Sequence, residues 1–206
     1  MRPAVHILVL AAGASSRMRG RDKLLQPVRG KPLLRVVTDV ALATGAPVMV
    51  TLPPASDARR MALADMAVSI VDVPDAASGM SRSIIRAVAA VAAGDPGPED
   101  GVMILPADMP GFSTKALADL ISRFRAEPEL IWRGTTTDGT PGHPAIFPRD
   151  LWGELQAVTG DEGGRSVLMR HKDRVRLVPL PGQMAVLDLD TPEDWAAFLG
   201  RPAPSA

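Results

Sequence analysis

Residues 5–10 form an almost unbroken apolar run that stops abruptly at Ala11-Ala12-Gly13-Ala14-Ser15-Ser16, and Arg17, Arg19, Arg21 and Lys23 follow at short intervals. Six apolar-rich residues are too few for a core helix and predict a buried strand. Residues 32–44 then place Leu33, Val36, Val37 and Val40 at helical spacing, with Pro32 in the first turn and Gly45 as the stop. Residues 46–52 predict a second strand closed by Pro53-Pro54, residues 56–66 a helix and residues 68–71 a short strand. Residues 81–93 predict a helix with Ile84, Val88 and Val91 on one face, ended by Gly94-Asp95-Pro96-Gly97-Pro98. Residues 102–105 predict another buried strand and 114–124 another helix.

This alternation predicts an α/β fold of three layers, a mostly parallel sheet covered by helices on both faces. In such sheets ligands bind beyond the carboxyl ends of the strands, where the loop after residue 10 and Asp108 would both lie. The second half is less regular. Residues 130–133, 145–147, 175–180 and 185–187 predict strands, and 191–199 a terminal helix with Thr191 as N-cap and Pro192 at the first position. Glu193 and Asp194 then serve that helix start.

Composition narrows the function. A chain of 206 residues suits one large domain. Basic and acidic residues balance at 23 each and aromatics are only 3%, which argues against a nucleic-acid face, a base-stacking platform or a polybasic membrane anchor. With no cysteine, disulfides and thiolate chemistry are excluded. Neither a secretory leader nor a membrane-length apolar run is seen, so the expected compartment is the cytoplasm.

The loop after the first strand is built for a polyphosphate. Small residues let backbone N–H groups approach anionic oxygens, while Arg17 and Lys23 supply charge as a fork and a point. A plain basic turn is the alternative. The dinucleotide fingerprint is absent, and Gly30-Lys31 is followed by Pro32, which excludes the P-loop. Asp108 follows an apolar strand and is the first candidate for a Mg²⁺ ligand, a turn-capping aspartate being the alternative. Asp188 and Asp190 lie on a strand-like end, and one of them is expected to face the site as a second metal carboxylate. Ser81 and Arg82 open the helix at 81, where an anion or a base edge would fit; an ordinary serine cap fits too. His143 sits in the constrained turn Pro141-Gly142-His143-Pro144.

These residues carry a resemblance. Leu10-Ala11-Ala12-Gly13, Ser15, Arg17-Met18 and Lys23 resemble the signature of nucleotidyltransferases that activate a phosphorylated acceptor, and within them the molybdenum cofactor cytidylyltransferases and guanylyltransferases. Leu105-Pro106-Ala107-Asp108-Met109-Pro110, Gly139-Thr140-Pro141-Gly142-His143-Pro144, Gly160-Asp161-Glu162-Gly163-Gly164 and Asp188-Leu189-Asp190-Thr191-Pro192 look like later motifs in the family's order.

The resemblance implies a Rossmann-like nucleotidyltransferase fold, with residues 1–125 holding the nucleotide, 126–199 the acceptor and 200–206 a loose tail. It implies a nucleoside triphosphate on Leu10, Ala11, Ala12, Gly13, Ser15, Arg17, Lys23, Ser81 and Arg82, with Arg17, Lys23 and Asp108 catalytic. It further implies Mg²⁺ on Asp108 with Asp190 or Asp188, and a phosphorylated pterin acceptor on His143, Gly142 and Asp161. Because a phosphate nucleophile is ionised at neutral pH, His143 is assigned to acceptor binding rather than to a base. Transient contact with a molybdenum enzyme or its chaperone is a further implication.

Ala-Gly at positions 12–13 resembles the cytidylyl branch, whereas guanylyltransferases tend to carry Gly-Gly. A methyl at Ala12 narrows the floor under a purine's second ring, a preference of about 1–3 kcal/mol. CTP is therefore favoured over GTP. The alternatives are a guanylyltransferase, a transferase for a sugar or alcohol phosphate, and a nucleotide-binding chaperone. One departure stands out: Met18-Arg19 occupies the family's Met-Gly, so a cation replaces a permissive backbone position.

Overall fold

The computed structural model describes residues 2–160 and 163–200. Strand β1 (Val5–Leu10) buries Val5, Ile7, Leu8 and Val9 completely, so both of its faces are covered and it must lie inside the sheet. Its chain continues through the basic loop into a two-residue hairpin, β2 (Pro27–Val28) and β3 (Lys31–Pro32), that sequence reading missed. Arg29 (φ 51°) and Gly30 (φ 79°) make its turn, with the positive angles a tight hairpin requires.

Helix α1 (Leu33–Leu42) buries Leu33, Leu34, Val37 and Ala41 on one stripe. Strand β4 (Val48–Leu52) follows. Helix α2 (Asp57–Ala62) stops four residues short of the sequence expectation of 66, and β5 (Ser69–Asp72) forms the edge beyond it. Helix α3 (Met80–Ala92), the fully buried strand β6 (Gly101–Pro106) and helix α4 (Thr114–Ala126) complete the first half. Gly101 is required by packing, since a Cβ there would lie 2.5 Å from Phe124 Cζ on α4.

The second half supplies β7 (Ile131–Thr135), β8 (Pro141–Pro148), the short helices α5 (Trp152–Leu155) and α6 (Arg165–Arg170), β9 (Val175–Pro179) and α7 (Pro192–Leu199). One seven-stranded sheet runs in the order β5-β4-β1-β6-β8-β7-β9. Only β8 runs antiparallel to its neighbours. The helices cover both faces: α1 and α4 pack against Ile7, Val9, Met103 and Leu105, whereas α3, α5 and α6 pack against Leu8, Val102, Ile104 and Phe147. This is the three-layer α/β/α arrangement that the sequence predicts. No helix among the described residues is long and apolar enough to cross a membrane.

Residues 185–187 are not the expected strand. Residues 185–186 lie in a turn and 187 in irregular chain, with Ala185 fully buried and its carbonyl accepting His143 N–H at 2.7 Å. Ala185 and Val186 pack into the core instead of pairing at a sheet edge. The start of α7 matches expectation: Thr191 Oγ1 accepts Asp194 N–H at 3.1 Å, and the Asp194 side chain accepts Thr191 N–H at 2.8 Å.

Candidate active site

The strand order reverses between β1 and β6, and the chain leaves both strands at the same end. A crevice at that end is a geometric consequence of the topology. It is a cleft of ≈ 510 Å³, lined on one side by Leu10, Ala12, Gly13, Ser15 and Arg17 and on the other by Pro106, Asp108, Asp188 and Asp190. The loop and the carboxylates, distant in sequence, therefore share one cavity.

Lys23 ties the two sides together. Its Nζ donates to Asp108 Oδ2 at 2.6 Å and to Asp190 Oδ1 at 2.6 Å, with only 12% of the side chain exposed. Burial alone would lower the Lys23 pKa; Asp108 and Asp190 outweigh it and hold the ammonium above its ordinary value. Arg17 pairs with the other oxygen of Asp190. Asp188 keeps contact with solvent, yet partial burial, with Asp190 and Asp108 nearby, lifts its carboxyl above the usual range.

Both Asp188 and Asp190 line the cleft, where a single facing residue was expected. Residues two apart in extended backbone share a side, and the intervening Leu189 points the other way into the core. Leu189 N–H also donates to the Asp108 carbonyl at 3.0 Å, which fixes the 188–190 segment beside Asp108.

The loop itself is riveted by two residues that sequence reading missed. Asp22 Oδ1 accepts from Ser15 Oγ at 3.3 Å and from Leu24 N–H at 3.0 Å. Arg59 on α2, 5% exposed, reaches across to it. Its Nε donates to Asp22 Oδ2 at 2.7 Å, Nη1 to the Ala11 carbonyl at 2.6 Å and Nη2 to the Gly13 carbonyl at 2.9 Å. Carbonyls turned toward Arg59 leave the loop's opposite side for N–H groups, the polarity that an anion needs. Ser15 (φ 53°) adds the left-handed kink, and its Oγ accepts Lys23 N–H at 3.2 Å. No local pattern betrays Arg59, because its partners lie far away in sequence.

Other candidates fall differently. Ala11 is buried in the core under the loop and does not line the cleft. Ser81 and Arg82 do not line it either; Gly79, Met80 and Ser83 do. Helix α3 starts at Met80, so the helical repeat turns positions 80 and 83 to the cleft. Ser81 is buried with its N–H on the Gly160 carbonyl at 3.0 Å, and Arg82 pairs with Asp75 at 3.5 Å.

Gly142 and His143 sit beyond the cleft lining, at the start of strand β8 and not in the expected turn, packed against 185–187. A Cβ at Gly142 would meet the Ala185 carbonyl oxygen at 1.9 Å, so only glycine fits. His143 is partly buried with its Nδ1 enclosed and unpartnered; burial first, then the charge of Arg133, pushes its pKa down to about 4. Asp161 lies outside the described residues.

The chain is similar to several known proteins and solved structures. Rv0371c from Mycobacterium tuberculosis H37Rv is 30% identical, covers 98% of this chain and 100% of its own, and superposes with a TM-score of 0.81. A second structure of that protein is a manganese complex, with 29% identity and a TM-score of 0.77 over 97% of this chain and 100% of its own. Nicotine blue oxidoreductase from Paenarthrobacter nicotinovorans is 26% identical over 96% of this chain and 97% of its own length. Bifunctional protein GlmU from Halorhodospira halophila is 52% identical over 46 residues, 22% of this chain and a tenth (10%) of that much longer protein. The family model described as MobA-like NTP transferase domain matches residues 7–175, and the chain belongs to that nucleotidyltransferase family.

Proposed function

We propose that this enzyme transfers CMP from CTP to the terminal phosphate of a molybdenum cofactor-type pterin and releases pyrophosphate. The observation that carries the reading is the Lys23 ammonium held between Asp108 and Asp190 at the foot of the 11–23 loop. That arrangement puts a cation and two carboxylates where a strand-end crevice meets a loop shaped for anions.

The donor set fits a hard divalent cation, since it consists of carboxylate oxygens and two of them already converge on one positive charge. Among the described residues no three His, Asp or Glu side chains gather at one point, so a cation would take its remaining ligands from triphosphate oxygens and water. Asp108 and Asp190 would hold Mg²⁺, with Asp188 beside them; the manganese in the Rv0371c structure supports divalent metal use here. Bound there, the ion would offset charge on the phosphates.

The chain's own residues do the rest. Backbone N–H groups of residues 12–16 cradle the triphosphate, and Arg17 and Lys23 neutralise it as charge builds on departing pyrophosphate. The acceptor phosphate, already anionic, attacks the α-phosphate in line, and positioning supplies most of the rate. Ala12, 5% exposed on the cleft floor, favours the smaller pyrimidine.

The test is pyrophosphate release by the purified protein with Mg²⁺ and molybdenum-loaded molybdopterin, comparing CTP, GTP, ATP and UTP. Release with CTP supports the whole reading; release with GTP keeps the reaction and overturns the role of Ala12. Because a full-length relative is named an oxidoreductase, a parallel arm supplies NADH or NADPH with a quinonoid dye. Cofactor oxidation without pyrophosphate release would replace the proposal.

A further inference from the structure

A second basic group lies on the sheet and takes no part in the nucleotide cleft. Arg133 on β7 is half-buried and donates from Nε to the Gly142 carbonyl at 2.9 Å. Among the described residues it has no carboxylate partner, and the charged neighbour it feels is another cation, Arg165. Burial first, then Arg165, lowers the Arg133 pKa, so the folded chain works against this charge.

The register explains the meeting. Arg133 pairs with Ala145 on β8, and Ala145 pairs with Ile104 on β6, so this row of side chains shares one face. His143, two residues from Ala145, belongs to the same face. The turn before α6 is pressed onto it: a Cβ at Gly164 would lie 2.9 Å from Phe147 Cζ and 3.6 Å from Ile104 Cδ1. Arg165 follows directly and is exposed. Nδ1 of His143, enclosed and without a partner among the described residues, adds an unused polar atom on this face. The ring feels the charges of both Arg133 and Asp108.

Two guanidinium groups brought together with no counter-charge among the described residues oppose folding. Such a cost persists where a bound anion repays it. We propose that Arg133 and Arg165 form the seat of the acceptor's phosphomonoester, on the β8 side of Asp108. Two planar forks suit the tetrahedral oxygens of a phosphate dianion. The proposal rests on the nucleotidyl-transfer reading and adds the group that delivers the nucleophile.

Inorganic phosphate is the probe. It is titrated calorimetrically into the full chain saturated with Mg²⁺ and the α,β-methylene analogue of CTP, so that Arg17 and Lys23 are occupied. The wild type should bind phosphate, and Arg133→Gln and Arg165→Gln should each weaken it at least tenfold while analogue affinity stays within twofold. Arg165 is exposed and has no carboxylate partner among the described residues, so Arg165→Gln should keep or raise the melting temperature. Unchanged phosphate affinity in Arg165→Gln would overturn the proposal. Phosphate binding that arises only in Asp161→Asn/Glu162→Gln would overturn it too, since the chain would then supply its own anion. If the analogue does not bind the wild type, the nucleotide reading falls; the same titrations on the nucleotide-free chain still decide the arginine pair.

Discussion

Arg59 and Asp22 meet in a two-point ion pair, Nε to Oδ2 at 2.7 Å and Nη2 to Oδ1 at 2.9 Å, and through it a helix on one side of the sheet holds the 11–23 loop in shape. Removing one partner of so enclosed a pair strands the other charge. Arg59→Ala should therefore cost about 3–5 kcal/mol of stability. Arg59→Lys keeps the charge and loses the planar fork, so it should fold yet bind nucleotide roughly tenfold more weakly, about 1.4 kcal/mol. Melting curves and nucleotide titrations check both; equal nucleotide affinity in Arg59→Lys would show that the loop holds itself.

Arg19 stands at φ 51°, where a side chain is strained and glycine is not. Its compensation is a pair with Glu193 at 2.9 Å, with both side chains largely exposed. Exposed pairs are worth about 0–1 kcal/mol, whereas the left-handed backbone costs about 1–2 kcal/mol. Arg19→Gly should leave stability unchanged or raise it by up to about 1 kcal/mol, read as a higher melting temperature. A loss of nucleotide affinity in the same variant would mark Arg19 as a phosphate contact.

Asp188 is held above its ordinary pKa by partial burial and by Asp190 and Asp108. A raised acid is penalised only once it ionises: there is no cost below pH 3.8, and the cost appears as pH rises through the folded value. Asp188→Asn should thus stabilise the metal-free protein at pH 7, by a few tenths of a kcal/mol given its solvent contact. That gain should vanish near pH 3.5. The same variant should weaken Mn²⁺ binding. Destabilisation at pH 7 would mean that Asp188 is a structural acceptor.

His143 is pushed down to about 4, so it stays neutral where an ordinary histidine is half charged. Between pH 6.5 and 4 the unfolded chain binds the extra proton, and stability should fall as pH drops through this window. A proton NMR titration of the imidazole should show no inflection near pH 6.5 in the folded protein. An inflection there would place the ring in solvent.

Much of this site could be read from the chain because its parts sit at ends of apolar strands. The run before Ala11 and the run before Asp108 each mark a buried strand, and adjacent parallel strands bring their ends together. Lys23 reaching Asp108 then follows from topology, whereas Asp190 arrives on an irregular segment fixed by the Leu189 N–H bond to the Asp108 carbonyl. Arg59 was not legible: its partners lie 37–48 residues away, and Asp57-Ala-Arg-Arg on a short helix reads as a solvated face. Residues 185–187 were misread because apolarity reports burial and not hydrogen-bond pairing. Helix α3 was placed one residue late, and one residue is 100° around a helix, enough to exchange Ser81 for Met80 and Ser83 in the cleft.

The most direct measurement is pyrophosphate release by Asp108→Asn beside the wild type, with CTP, a divalent cation and molybdenum-loaded molybdopterin. Asn keeps the size of the side chain and removes the charge that faces Lys23. The account predicts a fold of unchanged secondary structure with release lowered by about 10²–10³, the usual loss when one preorganised electrostatic contact is removed. Release at the wild-type rate would contradict it, because the carboxylate at the end of β6 would then have no part in the transfer.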